Sequence, residues 1–443
     1  AQASSVLGRL SWHAGTEPVQ SLHHMDLECL VKLGLVPPGS KPTLALTRRN
    51  SHEPQALSAS IPKQTRPPEG TSGRKWVELE PDALAGSDAS ASSLRLATYN
   101  ILADGYAMTD KHAYCPVAWR TWHEGGGAGR RQRLIAELRA LDADVLCLQE
   151  CVPSHFAEFE ALLGEGDAGD SYSGVHVTKV LVGSGATRDE MGNAVFVRRR
   201  AVQILEARGV LLRDHVEDER HSGRLRQRLR SLDDTALLLR LSIGQGPRAW
   251  QLALGSLHLY FDPNWPHVKA CQAEIATRAL ADFAAGGGAV LCGDFNSLPR
   301  SQPEWLPPKQ RDALPAWSSW SPSHRESAVF ALLTRGVVAP DHPEHPDAFG
   351  RHPDEMPSKK QKRCGPLRCP LHFVDAYGRL DTPATTNAQD FAGRIDYIFV
   401  DPGSLGARPT AAYAVPLELG PIPDEHFASD HIPLACVLSP VDA

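Results

Sequence analysis

Six short apolar runs along the chain are bordered by Asn, Asp, Glu or His. The bordering residues, in chain order, are Asn100, Glu150, His258, Asp294 with Asn296, Asp396, and Asp430 with His431. A single polar residue beside a strand is usually a turn former or a helix cap. Six such positions are different, because strands that share sheets can bring their ends together in one cleft.

The chemical types in this set favour hydrolysis assisted by a metal ion. The set contains carboxylates, amides and imidazoles, and no Ser or Cys nucleophile stands out among them. Oxygen ligands suit a hard cation such as Mg²⁺, which keeps several waters in its shell. Imidazole and amide groups can stabilise the charge that develops when water attacks a phosphate. The set therefore predicts a Mg²⁺ site, with Mn²⁺ as an alternative ion, that cleaves a phosphate ester.

Strands have to carry most of these residues, and the hydrophobic pattern predicts where the strands lie. Alternating or short apolar runs indicate strands, whereas apolar residues at helical spacing indicate helices. The predicted strands are Leu94–Leu102, Val145–Gln149, Asn193–Arg198, Ala236–Ile243, Trp250–His258, Ala289–Cys292, Ile395–Val400 and Ile432–Leu438, and the predicted helices are Arg131–Leu141 and Val268–Ala284. Strands outnumber helices, so we predict an α/β fold in which a two-layer β-sandwich is flanked by helices.

Composition divides the chain into two parts. It has 443 residues, of which 42% are hydrophobic, which is enough to bury a large core. Residues 1–93 are rich in Ser, Pro, Thr and His, and they are predicted to form a loosely structured N-terminal extension with one short helix at Leu27–Leu35. Residues 94–443 are predicted to form the catalytic domain. Within it, residues 301–370 contain many Pro and His residues and are predicted to be long surface connections.

The charge pattern limits the kind of nucleic acid that the chain could bind. The net charge is −6, so a duplex DNA partner is not expected, and contact with nucleic acid would need a local basic surface. Three basic clusters could provide one, namely Arg198–Arg200, Arg224–Arg230 and Lys359–Arg363. Each is either a solvated surface or a track for the phosphates of a single strand. No run of about 18 apolar residues exists, so no membrane partner is predicted.

The nine cysteines are odd in number and scattered along the chain. This distribution predicts buried, reduced thiols in an intracellular protein. The cytoplasm is the expected compartment, with the nucleus or an organelle as alternatives, since Lys359–Arg363 could also serve as a nuclear signal. Cys364, Cys369 and His372 could form part of a zinc site, but no second Cys/His pair follows at a standard spacing, so a plain loop is the favoured interpretation.

The six polar borders lie within motifs that resemble those of the exonuclease–endonuclease–phosphatase superfamily. The motifs, in the superfamily's order, are Thr98–Leu102, Cys147–Glu150, His258–Pro263, Gly293–Ser297, Ile395–Phe399 and Ser429–Leu434. Each motif alone is weak, but six in order make a chance resemblance very improbable. The stretches Tyr99–Asp104 and His258–Pro263 are most similar to carbon-catabolite-repressor-type deadenylases, Angel proteins and 2′,5′-phosphodiesterases, with nocturnin a more distant relative.

The resemblance implies the fold predicted above and a role for each catalytic residue. Glu150 would be the main Mg²⁺ ligand, helped by Asn100, and Asp430 would lie near the metal. Asp294 would orient or deprotonate the attacking water. His258 and Asn296 would hold the phosphate oxygens. His431 would stabilise the developing negative charge, and Asp396 would fix the tautomer and orientation of that imidazole.

The resemblance also implies a substrate. Residues matching Pro263 and Phe391 contact an adenine base in the deadenylases, and Tyr260, within the stretch that begins at His258, is expected to stack in the same cleft. The implied activity is a 3′-exoribonuclease acting on single-stranded RNA with adenine-rich 3′ ends. Ala388 departs from the family pattern, because a Tyr usually follows the Asn that matches Asn387.

Two other functions stay open on the sequence. One is a 2′,5′-phosphodiesterase or a small-nucleotide phosphatase that uses the same chemistry. The other is a catalytically silent scaffold that recruits partners through residues 1–93. The scaffold is disfavoured, because every catalytic position holds a competent residue type.

Overall fold

The computed structural model describes residues 46–47, 74–79, 93–123, 129–165, 170–179, 191–221, 223–303, 320–349, 363–388, 390–403 and 407–440. The helix predicted at Leu27–Leu35 and most of the basic cluster Lys359–Arg363 lie outside these residues. No helix within them is long and apolar enough to cross a membrane.

Strands dominate the described part of the chain. In order they are β1 (Leu46–Thr47), β2 (Trp76–Glu78), β3 (Leu94–Asn100), β4 (Val145–Cys151), β5 (Tyr172–Thr178), β6 (Gly192–Arg198), β7 (Val202–Leu211), β8 (Thr235–Ile243), β9 (Trp250–His258), β10 (Ala289–Asp294), β11 (Val337–Val338), β12 (Leu367–Arg368), β13 (Val374–Asp375), β14 (Thr386–Ala388), β15 (Phe391–Gly393), β16 (Asp396–Asp401), β17 (Ala407–Tyr413) and β18 (Leu434–Pro440). The α-helices are α1 (Asp104–Ala107), α2 (Val117–Arg120), α3 (Arg130–Ala140), α4 (Pro153–Gly164), α5 (Gly223–Arg230), α6 (Pro266–Ala284), α7 (Ala328–Arg335) and α8 (Pro346–Phe349).

Two mixed β-sheets contain most of the strands. One has eight strands in the order β1-β5-β6-β4-β3-β18-β17-β2, and the other has six in the order β13-β16-β10-β9-β8-β7. The sheets stack face to face. Between them, Gln149 Nε2 in the first sheet donates a hydrogen bond of 3.2 Å to Ser256 Oγ in the second. This arrangement confirms the predicted two-layer sandwich with flanking helices.

The two-residue period of the strands decides which side chains meet between the sheets. In β3, Ala97 and Tyr99 face outward and pack with the helices α3 and α4 in one apolar cluster. Thr98 and Asn100 therefore face inward. In β9, Leu257 faces outward into a cluster with α6 and α7, so Ser256 and His258 face inward. The same alternation applies to β10 and β16, so the polar ends of several strands project into the space between the sheets.

Two of the differences from the sequence-based expectations concern the helix α7 and the strand β7. Residues 301–370, predicted as surface connections, include the helix α7, whose Ala328 and Leu332 are fully buried. A Ser327 N-cap begins this helix and Gly336 ends it with a left-handed backbone. The strand β7 is not among the predicted strands. Its charged residues and a bulge between Ile204 and Glu206 interrupt the alternation of apolar and polar residues.

The N-terminal extension contributes a strand to the larger sheet. β2 pairs antiparallel with β17, and Arg74 donates hydrogen bonds to Ala414 O at 2.6 Å and Pro433 O at 2.9 Å. Leu94, the first residue of β3, is the predicted start of the catalytic domain, and that boundary stays a prediction. Eight of the cysteines lie within the described residues, where all eight are free and buried.

Candidate active site

Three predicted site residues lie side by side across the six-stranded sheet. Asp294 at the end of β10 pairs in register with His258 at the end of β9 and with Asp396 at the start of β16. β9 and β10 are parallel and β16 is antiparallel to them, so two carboxyl ends and one amino end meet at this edge. All three side chains are almost completely buried.

Close packing of the β9 and β10 backbones depends on Gly293. Its φ is +138°, and a Cβ added there would lie 2.0 Å from the carbonyl oxygen of Leu257. Any larger residue would therefore push the two strands apart. The glycine before Asp294 in the Gly293–Ser297 motif is thus a requirement of the sheet that carries the carboxylate.

The opposing sheet contributes Asn100 and Glu150. Asn100 Nδ2 donates to Glu150 Oε1 at 3.1 Å and to Asp294 Oδ2 at 3.0 Å, so this amide joins the two sheets. Strict alternation would turn Glu150 away from the face that Gln149 occupies. A register shift after Leu148 and a φ of +58° at Glu150 turn the carboxylate toward the site instead. Ala103 N then donates to Glu150 Oε2 at 2.8 Å.

His431 is held by Asp396. The Nδ1 atom of His431 lies 2.8 Å from Asp396 Oδ2, which also accepts a 2.6 Å hydrogen bond from Thr385 Oγ1. The other ring nitrogen of His431, Nε2, lies 3.8 Å from Asp294 Oδ2. The imidazole is therefore placed between two buried carboxylates.

The two site histidines differ in charge. The nearby carboxylates of Asp396, Asp294 and Asp430 outweigh burial and raise the pKa of His431 well above its ordinary value. Burial, together with the positive charges of Lys179 and His431, lowers the pKa of His258 well below its ordinary value. These opposite pKa shifts favour the imidazolium form of His431 and the neutral form of His258.

Burial makes the ionised form of the carboxylates in this site energetically costly. It raises the pKa of Asp294 to about 7, with the neighbouring Asp396 carboxylate as the second cause. It also raises the pKa of Glu150, with Asp430 as the second cause. Carboxylates crowded in this way repel one another, and a bound divalent ion would relieve that repulsion.

The donor set fits a hard cation near Glu150, Asp294 and Asn100. Asp294, Asp396 and His431 also present one potential ligand atom each within 4.8 Å of one another. That group is a poorer cage, because Asp396 Oδ2 already accepts two hydrogen bonds and a protonated His431 has no free nitrogen lone pair. The carboxylate oxygens of Glu150 and Asp294 are joined by Asn100 Nδ2, and the Asn100 amide oxygen accepts from Leu102 N at 3.0 Å. Oxygen atoms of these types are the ligands that Mg²⁺ and Mn²⁺ prefer.

Asn296 and Asp430 lie at the margins of this group. Asn296 has a φ of +48°, and its Nδ2 donates to Leu259 O at 3.0 Å, which fixes the amide beside the end of β9. Asp430 Oδ2 lies 3.6 Å from His112 Nε2. The structure thus brings together all eight residues predicted for metal binding and catalysis, while their individual roles stay predictions.

The three predicted substrate residues have different surroundings. Pro263 is exposed, five residues after His258. Phe391 is partly exposed in the β14–β15 hairpin, which reaches the site through a hydrogen bond from Asn387 N to Asp430 O at 3.3 Å. Tyr260 is only 8% exposed, so its ring is covered in this structure, and its predicted stacking on a base stays a prediction.

Sequence reasoning missed Lys179 and Thr385. Lys179, just after β5, donates from Nζ to Asp234 Oδ1 at 2.8 Å, and its charge acts on both His258 and Glu150. Thr385 reaches Asp396 from the residue before β14. Neither a lysine nor a threonine belongs to the Asn, Asp, Glu and His types by which the other site residues were identified.

The structure also bears on two other sequence features. Arg198 ends β6 and Arg199 and Arg200 follow it, at the end of the sandwich away from Glu150. Arg198 Nη2 pairs with Asp142 Oδ1 at 2.6 Å. Cys364 and Cys369 are buried in the apolar cluster of α6. Within the described residues, no three His, Cys, Asp or Glu side chains gather around them as a metal site would require, which favours the loop interpretation.

Comparison with known proteins gives a consistent result. The sequence profile described as the Endonuclease/Exonuclease/phosphatase family matches residues 97–431. The chain is 24% identical over 429 residues to the CCR4-Not complex 3′-5′-exoribonuclease subunit Ccr4 of Mycosarcoma maydis, covering 86% of this chain and 56% of that protein. It is 29% identical over 272 residues to Protein angel of Drosophila melanogaster, covering 60% and 71% respectively.

Two further matches complete the comparison. The chain is 24% identical over 371 residues to human 2′,5′-phosphodiesterase 12, covering 78% of this chain and 51% of that protein. A crystal structure of ANGEL2, described as a 2′,3′-cyclic phosphatase in complex with adenosine-2′,3′-vanadate, superposes with a TM-score of 0.57 at 18% identity, covering 82% of this chain and 98% of that one. The resemblance to Ccr4-type, Angel and 2′,5′-phosphodiesterase proteins is therefore confirmed, although the chain spans only about half the length of several of these relatives.

Proposed function

Because the chain belongs to the endonuclease/exonuclease/phosphatase family, we propose that it is a Mg²⁺-dependent 3′-exoribonuclease that shortens adenine-rich, single-stranded RNA. The observation that carries the proposal is the joint placement of Glu150, Asp294 and the His431–Asp396 pair in one buried group. Asn100 connects the Glu150 and Asp294 carboxylates directly. This combination supplies a cation site, a base for water and a positive group for the phosphate.

Each residue has a task that follows from its contacts. A divalent ion held by Glu150 and Asn100 would neutralise a phosphate oxygen. Asp294 accepts a hydrogen bond from Asn296 N at 2.8 Å through Oδ1, which orients the carboxylate that would take a proton from the attacking water. The neutral ring of His258, 3.5 Å from Asp294 Oδ2, can contact a phosphate oxygen.

His431 would act as the electrostatic stabiliser of the transition state. The pair with Asp396 keeps Nδ1 protonated and leaves the Nε2 proton directed toward Asp294 and the space beside it. A preorganised cation in a buried site stabilises developing negative charge far more than it would in water. The imidazolium also needs no rearrangement during the reaction, because its partner already holds it.

Relatives and rim residues support the RNA substrate. Ccr4 is named a 3′-5′-exoribonuclease subunit, which favours hydrolysis at a 3′ end. Pro263 and Phe391 would provide apolar walls on either side of the terminal base, and such walls favour the larger π-surface of a purine over a pyrimidine. The proposed preference for adenine over guanine rests on the family resemblance alone. An intracellular location, with the cytoplasm first, stays a prediction.

The alternatives differ in substrate and can be separated in one experiment. The protein would be incubated with Mg²⁺ and, in parallel, labelled oligo(A), oligo(U), 2′,5′-oligoadenylate and NADPH, and the products read by length. Stepwise shortening of oligo(A) well ahead of oligo(U) is expected. Faster cleavage of 2′,5′-oligoadenylate or NADPH would instead assign the 2′,5′-phosphodiesterase or small-nucleotide phosphatase function, and equal rates on oligo(A) and oligo(U) would remove the adenine preference.

A further inference from the structure

A basic helix lies beside the loop that leaves the active site. The chain continues from His258, at the end of β9, into Tyr260 and Phe261 before helix α6 begins. Phe261 is 65% exposed, although it lies only three residues from a catalytic side chain. At about 3.4 Å per residue, that is roughly 10 Å of extended chain.

Helix α5 is fixed to this loop by Arg228. Its guanidinium lies 5.1 Å from the ring centre of Tyr260 and 4.9 Å from that of Trp265, and it donates to the Tyr260 hydroxyl. Leu225 and Leu229, one turn apart, bury the inner face of the helix in the same apolar cluster that contains Tyr260. The outer face is therefore held at a fixed position relative to Phe261.

The outer face of α5 has an excess of positive charge. The helix has four arginines and no acidic residue. Arg226 and Arg230 share the single carboxylate of Asp218. No carboxylate in the described part of the chain lies within ion-pair distance of Arg224, which is exposed. The Phe261 ring lies 5.2 Å from the ring of Tyr260, which Arg228 contacts, so it is close to a helix whose arginines are only partly neutralised. Such a combination binds single-stranded nucleic acid, because bases stack on the ring while phosphates pair with the cations.

The cluster at Arg199 and Arg200 provides a contrast on the same molecule. It lies past Val197, which pairs with Val145 at the start of β4, whereas Glu150 lies near the end of that strand. Arg200 pairs with Asp170 at 3.1 Å. Although equally basic in sequence, this surface is at the opposite end of the sandwich and has no continuity with the cleft.

We propose that the outer face of α5 and the ring of Phe261 form a binding track for the RNA segment that lies 5′ of the scissile bond. The inference rests on the proposed function, since a 3′-exonuclease must hold the body of its substrate outside the cleft. The track would add affinity for long chains and leave the chemistry at the 3′ end unchanged. It predicts that chain length, and not only the terminal base, governs the efficiency of cleavage.

The test compares long and short substrates. The double variant Arg224→Glu/Arg226→Glu is expected to lower kcat/KM on a 20-nucleotide oligoadenylate at least tenfold, through KM, with less than a twofold change on triadenylate. Phe261→Ala is expected to lower the same value about fivefold on the long substrate only. Arg199→Glu/Arg200→Glu, an equal charge change at the far end, is the matched control and should leave both substrates unaffected. Arg224→Gln, with a smaller loss in the same direction, serves if the double variant does not fold.

Direct binding separates this inference from the proposed function. Fluorescence anisotropy of labelled 20-nucleotide oligoadenylate in EDTA measures binding to the track without turnover. The Arg224 and Phe261 variants should weaken that binding, whereas Arg199→Glu/Arg200→Glu should not. If the wild-type protein cleaves no RNA but these binding differences hold, the proposed function fails and the track stands. Equal losses on long and short substrates, unchanged binding in the variants, or binding of polyglutamate as tight as that of the oligonucleotide would overturn the RNA track.

Discussion

Replacing Asp396 with Asn tests whether the His431–Asp396 pair contributes to catalysis. The change keeps the shape of the side chain but removes its charge. In the native site Asp396 Oδ2 accepts hydrogen bonds from His431 Nδ1 at 2.8 Å and Thr385 Oγ1 at 2.6 Å. An amide can offer only a neutral oxygen to the imidazolium, or it can offer its NH₂ group and select the wrong tautomer.

The magnitude follows from the lost interaction. A buried hydrogen bond between charged groups contributes about 1.5–3 kcal/mol, and each 1.4 kcal/mol changes a rate about tenfold. Loss of that bond alone therefore corresponds to roughly a 10- to 150-fold decrease in kcat, and selection of the wrong tautomer adds to it. We expect Asp396→Asn to lower kcat about 10²-fold or more with a much smaller change in KM.

Steady-state kinetics on oligoadenylate, with a thermal melt of each variant, measures this effect. Thr385→Val removes one hydrogen bond and keeps the charge, so its loss of kcat should be about tenfold or less. Asp401→Asn is the matched control, because Asp401 is a buried carboxylate at the far end of the same strand, where it accepts from the backbone N–H groups of His372 and Gly403. Wild-type turnover in Asp396→Asn, with a normal melt, would refute the assigned role of the pair.

Three further predictions address the substrate, the extension and the pH dependence of stability. Phe391→Ala should slow cleavage of oligo(A) about tenfold, since stacking contributes about 1–3 kcal/mol per base, and should leave a base-free phosphodiester almost unaffected; equal losses would mean that Phe391 supports the fold. A chain beginning at Ser87 should still cleave oligo(A), but it should be about 2 kcal/mol less stable in urea than a chain beginning at Gly70, because it lacks β2 and the hydrogen bonds of Arg74; equal stability would show that β2 contributes nothing. Burial raises the pKa of Glu137 to about 7 from an ordinary 4.5, so its contribution to stability is complete below pH 4.5 and is lost as the pH rises through 7, by at most about 3 kcal/mol. Urea unfolding at pH 5 and pH 8 should show a larger loss in the wild-type protein than in Glu137→Gln, in which Asp294, with a pKa also raised to about 7, still titrates; identical pH profiles would contradict it.

One pattern in the sequence, polar residues at the ends of strands, predicted that the site residues lie close together. Strand ends at one edge of a sandwich place inward-facing residues together, so Asn100, His258, Asp294 and Asp396 could be recognised from strand position and residue type. Glu150 is instructive, because simple alternation places it on the wrong face. Only the register shift and the left-handed backbone at that residue turn it inward, and no sequence pattern predicts either feature.

Other features depend on contacts between residues far apart in the sequence. Thr385 reaches Asp396 across a turn, and Lys179 affects His258 from a different sheet. The buried helix α7 lies in a region rich in Pro and His, whose average composition hides an eight-residue helix with six apolar residues. Local periodicity therefore predicted the layers and the main strands, whereas tertiary packing determined which polar neighbours complete the site.

The central claim is that a divalent ion at Glu150 supports hydrolysis of RNA, and one assay tests it most directly. Release of mononucleotides from a 3′-labelled oligoadenylate would be followed with Mg²⁺, with EDTA, and with Mg²⁺ restored, for the wild-type protein, for Glu150→Gln and for Glu158→Gln, a carboxylate on α4 that pairs with Arg131. The account predicts activity that EDTA abolishes and Mg²⁺ restores, a loss greater than about 10²-fold in Glu150→Gln, equivalent to about 3 kcal/mol, and wild-type rates in Glu158→Gln. Full activity in EDTA, or wild-type turnover in Glu150→Gln, would contradict it.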